Sequence, residues 1–414
     1  MKRTLLLIAA ALILILIGIG AYLYFFSGSP ALTVTENTFL PGSGSASPDS
    51  GSSRIAQELG VPVTGAGTDV APRLIRIADR PAVEGVSVRY LPGVVATSTA
   101  SSASSTTAYL QDPDVSVSYI EKESGNVYDF RVHARTLTRL SNRTLPGIHD
   151  ATWTPDGETA FVRFLDTSAN SESITTFALP RTGEGGSTLE RNVSQVLPTG
   201  KTSFITLIST TDGSLASVSD LVTAKVSTLF SSQLSRLSLS TGSGATVATT
   251  RAAATLSGYS FLVDSKTGSF TRILGPLNGL SATVSPSGKS VLYSYVSSGK
   301  LVLSVFNLET RSAIRLPVVT LREKCVWSGD STHIICAVPT TISGSLPDDW
   351  YQGAVRTSDR LWSIDMSSRV ATQVVDLDTV GAGAVDAVSL STDSAADVVT
   401  FINRLDGTLW VYDL

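Results

Sequence analysis

The chain has 414 residues, 42% of them hydrophobic, and its 31 Lys and Arg against 35 Asp and Glu leave a formal net charge of −4. The basic residues are scattered, which excludes the dense phosphate-neutralising footprint of a nucleic-acid binder. The length exceeds one ordinary small domain, yet a closed array of repeats can use most of it as a single unit.

Residues 5–26 form an uncharged, mostly apolar run of 22 residues, preceded by Lys2 and Arg3. Such a run is long enough to cross a bilayer as a helix, and the positive-inside rule would leave residues 1–4 as a cytoplasmic stub with the remainder outside the cytoplasm. The alternative is a cleaved signal peptide, although the apolar run is longer than such peptides carry and no clear cleavage site follows. Residues 27–72 are dominated by Ser, Gly, Thr, Pro and Ala, a composition that cannot bury a core and reads as a linker.

Leu74-Ile75-Arg76-Ile77 is an isolated strand signal closed off by Pro81. Its partner is expected at the other end of the chain, where residues 409–414 would be the third strand of a blade that lacks its fourth. Pairing 74–77 with 409–414 removes the exposed sheet edges that would otherwise template aggregation. Val86-Ser87-Val88-Arg89-Tyr90-Leu91 then opens a first full set of strands, interrupted by a Ser/Thr-rich insertion at residues 98–107.

From Trp153-Thr154-Pro155-Asp156-Gly157-Glu158 onward the same short turn recurs in weakened form. Counted at the proline position, copies fall at 155, 198, 241, 286, 329 and 392, in steps of 43, 43, 45, 43 and 63. Two residues before that position stand Trp153, Val196, Leu239, Val284, Trp327 and Leu390. Six residues after it stand Phe161, Phe204, Val247, Leu292, Ile335 and Val398. All twelve are apolar, as required of a strand, a tight turn and a second strand that bury one face between neighbouring sheets. A period near 43 in a strand-rich chain predicts propeller blades. The fold class expected is therefore an all-β, seven-bladed β-propeller over residues 73–414, or six-bladed if the copy near Thr241 is misread. A second hairpin signature recurs at Asp264, Asn307 and Asp365, with His133 in a variant copy, where Asp or Asn precedes a polar turn that its side chain can cap.

These turns resemble the WD40-like Pro-Asp repeats of TolB-type propellers. The resemblance covers about residues 74–414, with two or three good copies. It implies a propeller in an exported or envelope setting and transfers no catalytic residue.

Candidate site residues follow from the repeat frame. Six residues before each proline position, at the start of the innermost strand and so at one mouth of the channel, stand His149, Asn192, Ser235, Leu280, Glu323 and Asp386. His149, Glu323 and Asp386, with Asn192 beside them, are candidates for a small polar ligand or a cation, although polar residues also suit a wet channel mouth. The insertion at residues 339–360 carries Asp348, Asp349, Trp350 and Tyr351, an aromatic pair that either anchors a partner or folds back over its own blade. Cys325 and Cys336 are symmetric about the turn at Asp330-Ser331, so a regular hairpin sets them opposite one another. Outside the cytoplasm a structural disulfide is expected, with reduced buried thiols as the alternative.

No catalytic motif, metal set or cofactor-binding motif stands out. The function expected is thus a non-enzymatic scaffold, held by its membrane helix and binding an envelope protein or a surface glycan. Two readings stay open: an envelope hydrolase or lyase working at the channel mouth, and a sensory ectodomain.

Overall fold

The computed structural model describes residues 72–98, 107–166, 173–380 and 382–414. The expected stub, membrane helix and most of the linker lie outside the described residues. Among the described residues no helix is long and apolar enough to cross a membrane. The expected single-pass membrane placement therefore has no structural support and is withdrawn.

The described chain is all-β and propeller-like, built from antiparallel up-and-down sheets met in chain order. The first sheet contains Ser87–Leu91, Asp114–Ile120, Val127–Arg131 and Thr136–Arg139. The second runs from Ile148–Trp153 to Ser187–Thr188, and the third from Val193–Pro198 to Val226–Ser232. Next comes a seven-stranded sheet, and then a four-stranded one from Cys325–Trp327 to Ala371–Asp376. The last holds Ala387–Thr392, Val398–Asn403, Leu409–Asp413 and, at its outer edge, Leu74–Arg76.

The seven-stranded sheet has a specific cause. Strand Phe270–Val284 is fifteen residues long, pairing with Ser257–Val263 through its first half and with Ser290–Ser297 through its second. Two successive repeats thereby share one strand, where a loop would separate outer from inner strand elsewhere. The Ser/Thr-rich segment after Leu91 is flanked by a separate hairpin, Val94–Ser98 with Thr107–Gln111.

The chain termini of this unit meet in register: Leu74 faces Tyr412, Ile75 faces Val411 and Arg76 faces Trp410. Beyond the strand, the Ile77 amide donates to the Leu409 carbonyl at 2.9 Å.

The core lies between the sheets, and its clusters form a cycle. Ile120 and Val127 of the first sheet pack with Trp153 and Val162 of the second. Phe161 packs with Phe204 of the third, and Leu207 with Leu239 of the seven-stranded sheet. That sheet is sealed internally around Val247 and Val291. Leu303 then meets Ile334, Ile335 meets Phe401, and Val398 and Val411 of the last sheet pack on Val115 and Val117 of the first. All twelve apolar positions picked out by the repeat are buried, none more than 9% exposed.

Candidate functional site at the channel mouth

The site grows from the dipeptide Glu323-Lys324, whose side chains leave the backbone in different directions. A 3-10 turn, Arg322–Lys324, precedes strand Cys325–Trp327. It points Glu323 toward a cavity and drives Lys324 into the interior, where it is fully buried.

Glu323 lies on a cavity of about 470 Å³ that is also lined by Ser281, Tyr351 and three arginines, Arg236, Arg251 and Arg322. Its Oε1 accepts from Tyr351 Oη at 2.5 Å and from Ser281 Oγ at 2.5 Å, with Arg322 Nη2 at 3.5 Å. Its Oε2 is enclosed and has no hydrogen-bond partner. Burial alone would raise the Glu323 carboxyl, but the Arg322 guanidinium and the Ser281 and Tyr351 hydroxyls outweigh it and hold the group below the usual carboxylate range. Burial, then the adjacent Glu323 charge, pushes the Tyr351 phenol well above its ordinary value.

Arg236 and Arg251 are exposed on the same cavity. Neither guanidinium has an ion pair or hydrogen-bond partner among the described residues. Arg236, Arg251 and Arg322 therefore line the cavity together with one carboxylate, Glu323, an excess of positive charge that favours an anionic ligand. A contiguous cavity of about 410 Å³ shares Ser194, Leu237 and Ser238 with the first and runs on toward the Asp150–Arg163 ion pair.

The insertion forms a one-turn helix, Asp348–Tyr351, folded back on the mouth. Trp350 is only 6% exposed, so of the two readings of Asp348, Asp349, Trp350 and Tyr351 the structure takes the fold-back one rather than a free partner-binding loop. Asp348 accepts the Ala254 amide at 2.6 Å and Asp349 the Ser345 amide at 2.6 Å, while Tyr351 is engaged by Glu323.

Beneath that helix, Lys324 Nζ lies 2.6 Å from Asp359 Oδ2 and 2.6 Å from Asp386 Oδ1. Trp350 Nε1 donates to both Asp386 oxygens at 3.2 and 3.3 Å, and Thr357 Oγ1 donates to Oδ1 at 3.0 Å. Burial would raise Asp386, but Lys324 and the indole and hydroxyl donors bring it below its usual value. Asp359, with one enclosed oxygen unpartnered, is instead raised, its burial exceeding the pull of Lys324.

The expected ligand ring is therefore not assembled. Asp386 is an interior counterion. Asn192 takes a left-handed backbone, and its Oδ1 accepts the Ile174 amide at 3.2 Å. His149 sits exposed on strand Ile148–Trp153. Among the described residues no three His, Cys, Asp or Glu side chains group as a metal site. Cys325 and Cys336 face each other in register and are joined as a disulfide. Sequence reasoning missed Tyr351 as a partner of Glu323, and it missed Arg236, Arg251 and Lys324; none of these lies in a recurring motif.

No protein family matches the sequence, and no curated protein matches it. Solved structures do. An oligogalacturonate lyase in complex with manganese matches at 10% identity and a TM-score of 0.50, covering 79% of this chain and 98% of that one. The oligogalacturonate lyase of Vibrio parahaemolyticus matches at 10% identity and a TM-score of 0.51 over the same shares. TolB from Acinetobacter baumannii matches more loosely, with a TM-score of 0.41 and 15% identity, covering 60% of this chain and 59% of that one. At these identities the likeness concerns the fold. It nevertheless overturns the step from propeller without catalytic motif to non-enzymatic scaffold, because the matched folds carry lyases. That reading is withdrawn. A manganese site does not fit the mouth described here, since hard cations take several oxygen ligands and this cavity offers one carboxylate beside three guanidiniums.

Proposed function

We propose that residues 74–414 form a seven-bladed β-propeller, the shared strand Phe270–Val284 serving two blades, and that its channel mouth is the active site of a lyase acting on a carboxylate-bearing glycan. The observation that carries this reading is the cavity holding Glu323 and Tyr351 in contact beside two unpaired arginines. The oligogalacturonate lyases of like fold support the choice of substrate class.

In this reading Arg236 and Arg251 pair with the sugar carboxylate, which acidifies the neighbouring C–H bond. Glu323, held ionised, takes that proton on Oε1, which is freed as the Tyr351 hydroxyl proton passes to the departing oxygen and the carbon–carbon double bond forms with cleavage of the glycosidic C–O bond. The 2.5 Å contact between Tyr351 and Glu323 then returns the proton to the phenol, so no outside acid or base is consumed.

The test is a continuous ultraviolet assay for the unsaturated product, with polyuronate and the matching neutral glycan as substrates. The wild type should turn over only the uronate. Glu323→Gln and Tyr351→Phe should each lose about 10²–10⁴-fold in kcat, whereas Arg236→Gln and Arg251→Gln should raise KM and lower kcat together. Absence of product from every uronate tried, or full activity in Tyr351→Phe, would rule the reading out.

A further inference from the structure

Two dipeptides face each other at the mouth. Glu323 and Lys324 are adjacent in the chain, as are Trp350 and Tyr351, and one member of each pair meets its opposite in the cavity while the other members meet in the interior. We propose that Asp386 is a positioning residue: through the Trp350 indole and the buried Lys324 it holds the insertion helix where the Tyr351 hydroxyl reaches Glu323. The proposal rests on the lyase reading only for its consequence on rate, because the placement of Tyr351 can be measured by itself.

The geometry supports this in three ways. A single helical turn has no stability of its own, so its position must come from tertiary contacts. Those contacts converge on Trp350, whose N–H reaches Asp386 and whose ring lies 5.2 Å from Lys324 Nζ and 4.6 Å from Arg404 Cζ. Arg404 Nη1 also donates to the Trp350 carbonyl at 2.6 Å, and the Arg404 amide donates to the Asp386 carbonyl at 2.8 Å, which ties the same strand connection to both. Among the described residues Asp386 is the one group that touches Lys324, Trp350 and Thr357 together. No contact to the cavity is needed for it to act, and it is fully buried.

The experiment labels tyrosine with carbon-13 at the phenol carbon, identifies the Tyr351 resonance as the one absent from Tyr351→Phe, and titrates it in the wild type, Asp386→Asn and Trp350→Phe. Trp350→Phe keeps a ring against Lys324 and Arg404 and removes the indole N–H with part of the bicyclic ring, so it carries the test if Asp386→Asn does not fold. In both variants the Tyr351 titration should move back toward that of an ordinary tyrosine, as it should in Glu323→Gln. With uronate substrate, kcat should fall by up to about 100-fold, with KM held within about twofold because Arg236 and Arg251 are untouched. An unchanged Tyr351 resonance and titration in both variants overturns the proposal, even if their melting temperatures fall. Movement of the resonance in both, with no turnover of any uronate by the wild type, would keep the positioning role and sink the lyase reading.

Discussion

Glu323 gathers three donors on one oxygen and none on the other. Because its folded pKa is lowered and that of Tyr351 is raised, Glu323 stays ionised and Tyr351 protonated over a wider span than free side chains would. The kcat profile for uronate cleavage should therefore be a broad plateau. Its acid limb should fall below the ordinary glutamate range as the base is protonated, and its alkaline limb should lie above the ordinary tyrosine range as the acid ionises. A profile with a limb near pH 6.5, the ordinary histidine value, would point to a different acid or base. Treatment with a chelator should leave the rate unchanged, since among the described residues the mouth lacks a carboxylate or imidazole set for a divalent ion. Lys324→Met belongs to the same scale. It strands Asp359 and Asp386 without their shared counterion, and a urea midpoint should report a loss of about 3–5 kcal/mol.

At the level of strands and turns, the repeat works through small local devices. Asp264 accepts the amides of Lys266 and Thr267 at 3.0 and 2.7 Å, Asn307 those of Glu309 and Thr310 at 2.9 and 2.8 Å, and Asp365 that of Ser367 at 2.7 Å. These positions were legible because each side chain caps its own turn within three residues. Asp220 caps in the same way, taking the Thr223 amide at 2.8 Å, but it lies in a degenerate copy that the spacing alone does not flag. Gly85 is an element-scale constraint of another kind. It has a φ of +96°, and a Cβ there would lie 1.8 Å from the Ala151 carbonyl oxygen, where the first sheet meets the second. Gly85→Ala should therefore destabilise the fold by more than about 1 kcal/mol, read as a fall in thermal midpoint. The disulfide spans 11 residues across one hairpin, so the double Cys325→Ser, Cys336→Ser variant should lose about 2–3 kcal/mol and still fold.

Across the whole ring, closure and acid sensitivity are shared properties. Removing residues 409–414 takes away the partner of Leu74–Arg76 and the Val411 packing on the first sheet, so the deletion should abolish cooperative unfolding of the entire unit rather than fray one sheet. Hydrogen bonds from the Thr202, Ser328 and Ser367 hydroxyls, joined by turn amides, hold Asp220, Asp330 and Asp365 down to about 2. Their folded pKa values lie below the unfolded ones, so what they add to stability is complete above the ordinary carboxylate range and is lost as pH falls toward about 2. Stability measured by urea titration should be flat from neutral pH down to about 5 and then decline, as the unfolded carboxylates near 3.9 begin to take up protons.

The sequence by itself determined the all-β repeat, its period, the buried face of each strand pair and the self-capping turns, because each depends on residues a few positions apart whose spacing is visible in one dimension. Only the tertiary structure decided what the channel mouth holds. Glu323 and Tyr351 are 28 residues apart, Lys324 and Asp386 are 62 apart, and Arg236 and Arg251 flank strands of another sheet, so only the packing of neighbouring sheets brings them to one place. Nor does spacing tell a mouth residue from a core residue: Glu323 and Asp386 hold the same repeat position, yet the adjoining Lys324 and the fold-back of Trp350 leave one facing a cavity and seal the other inside.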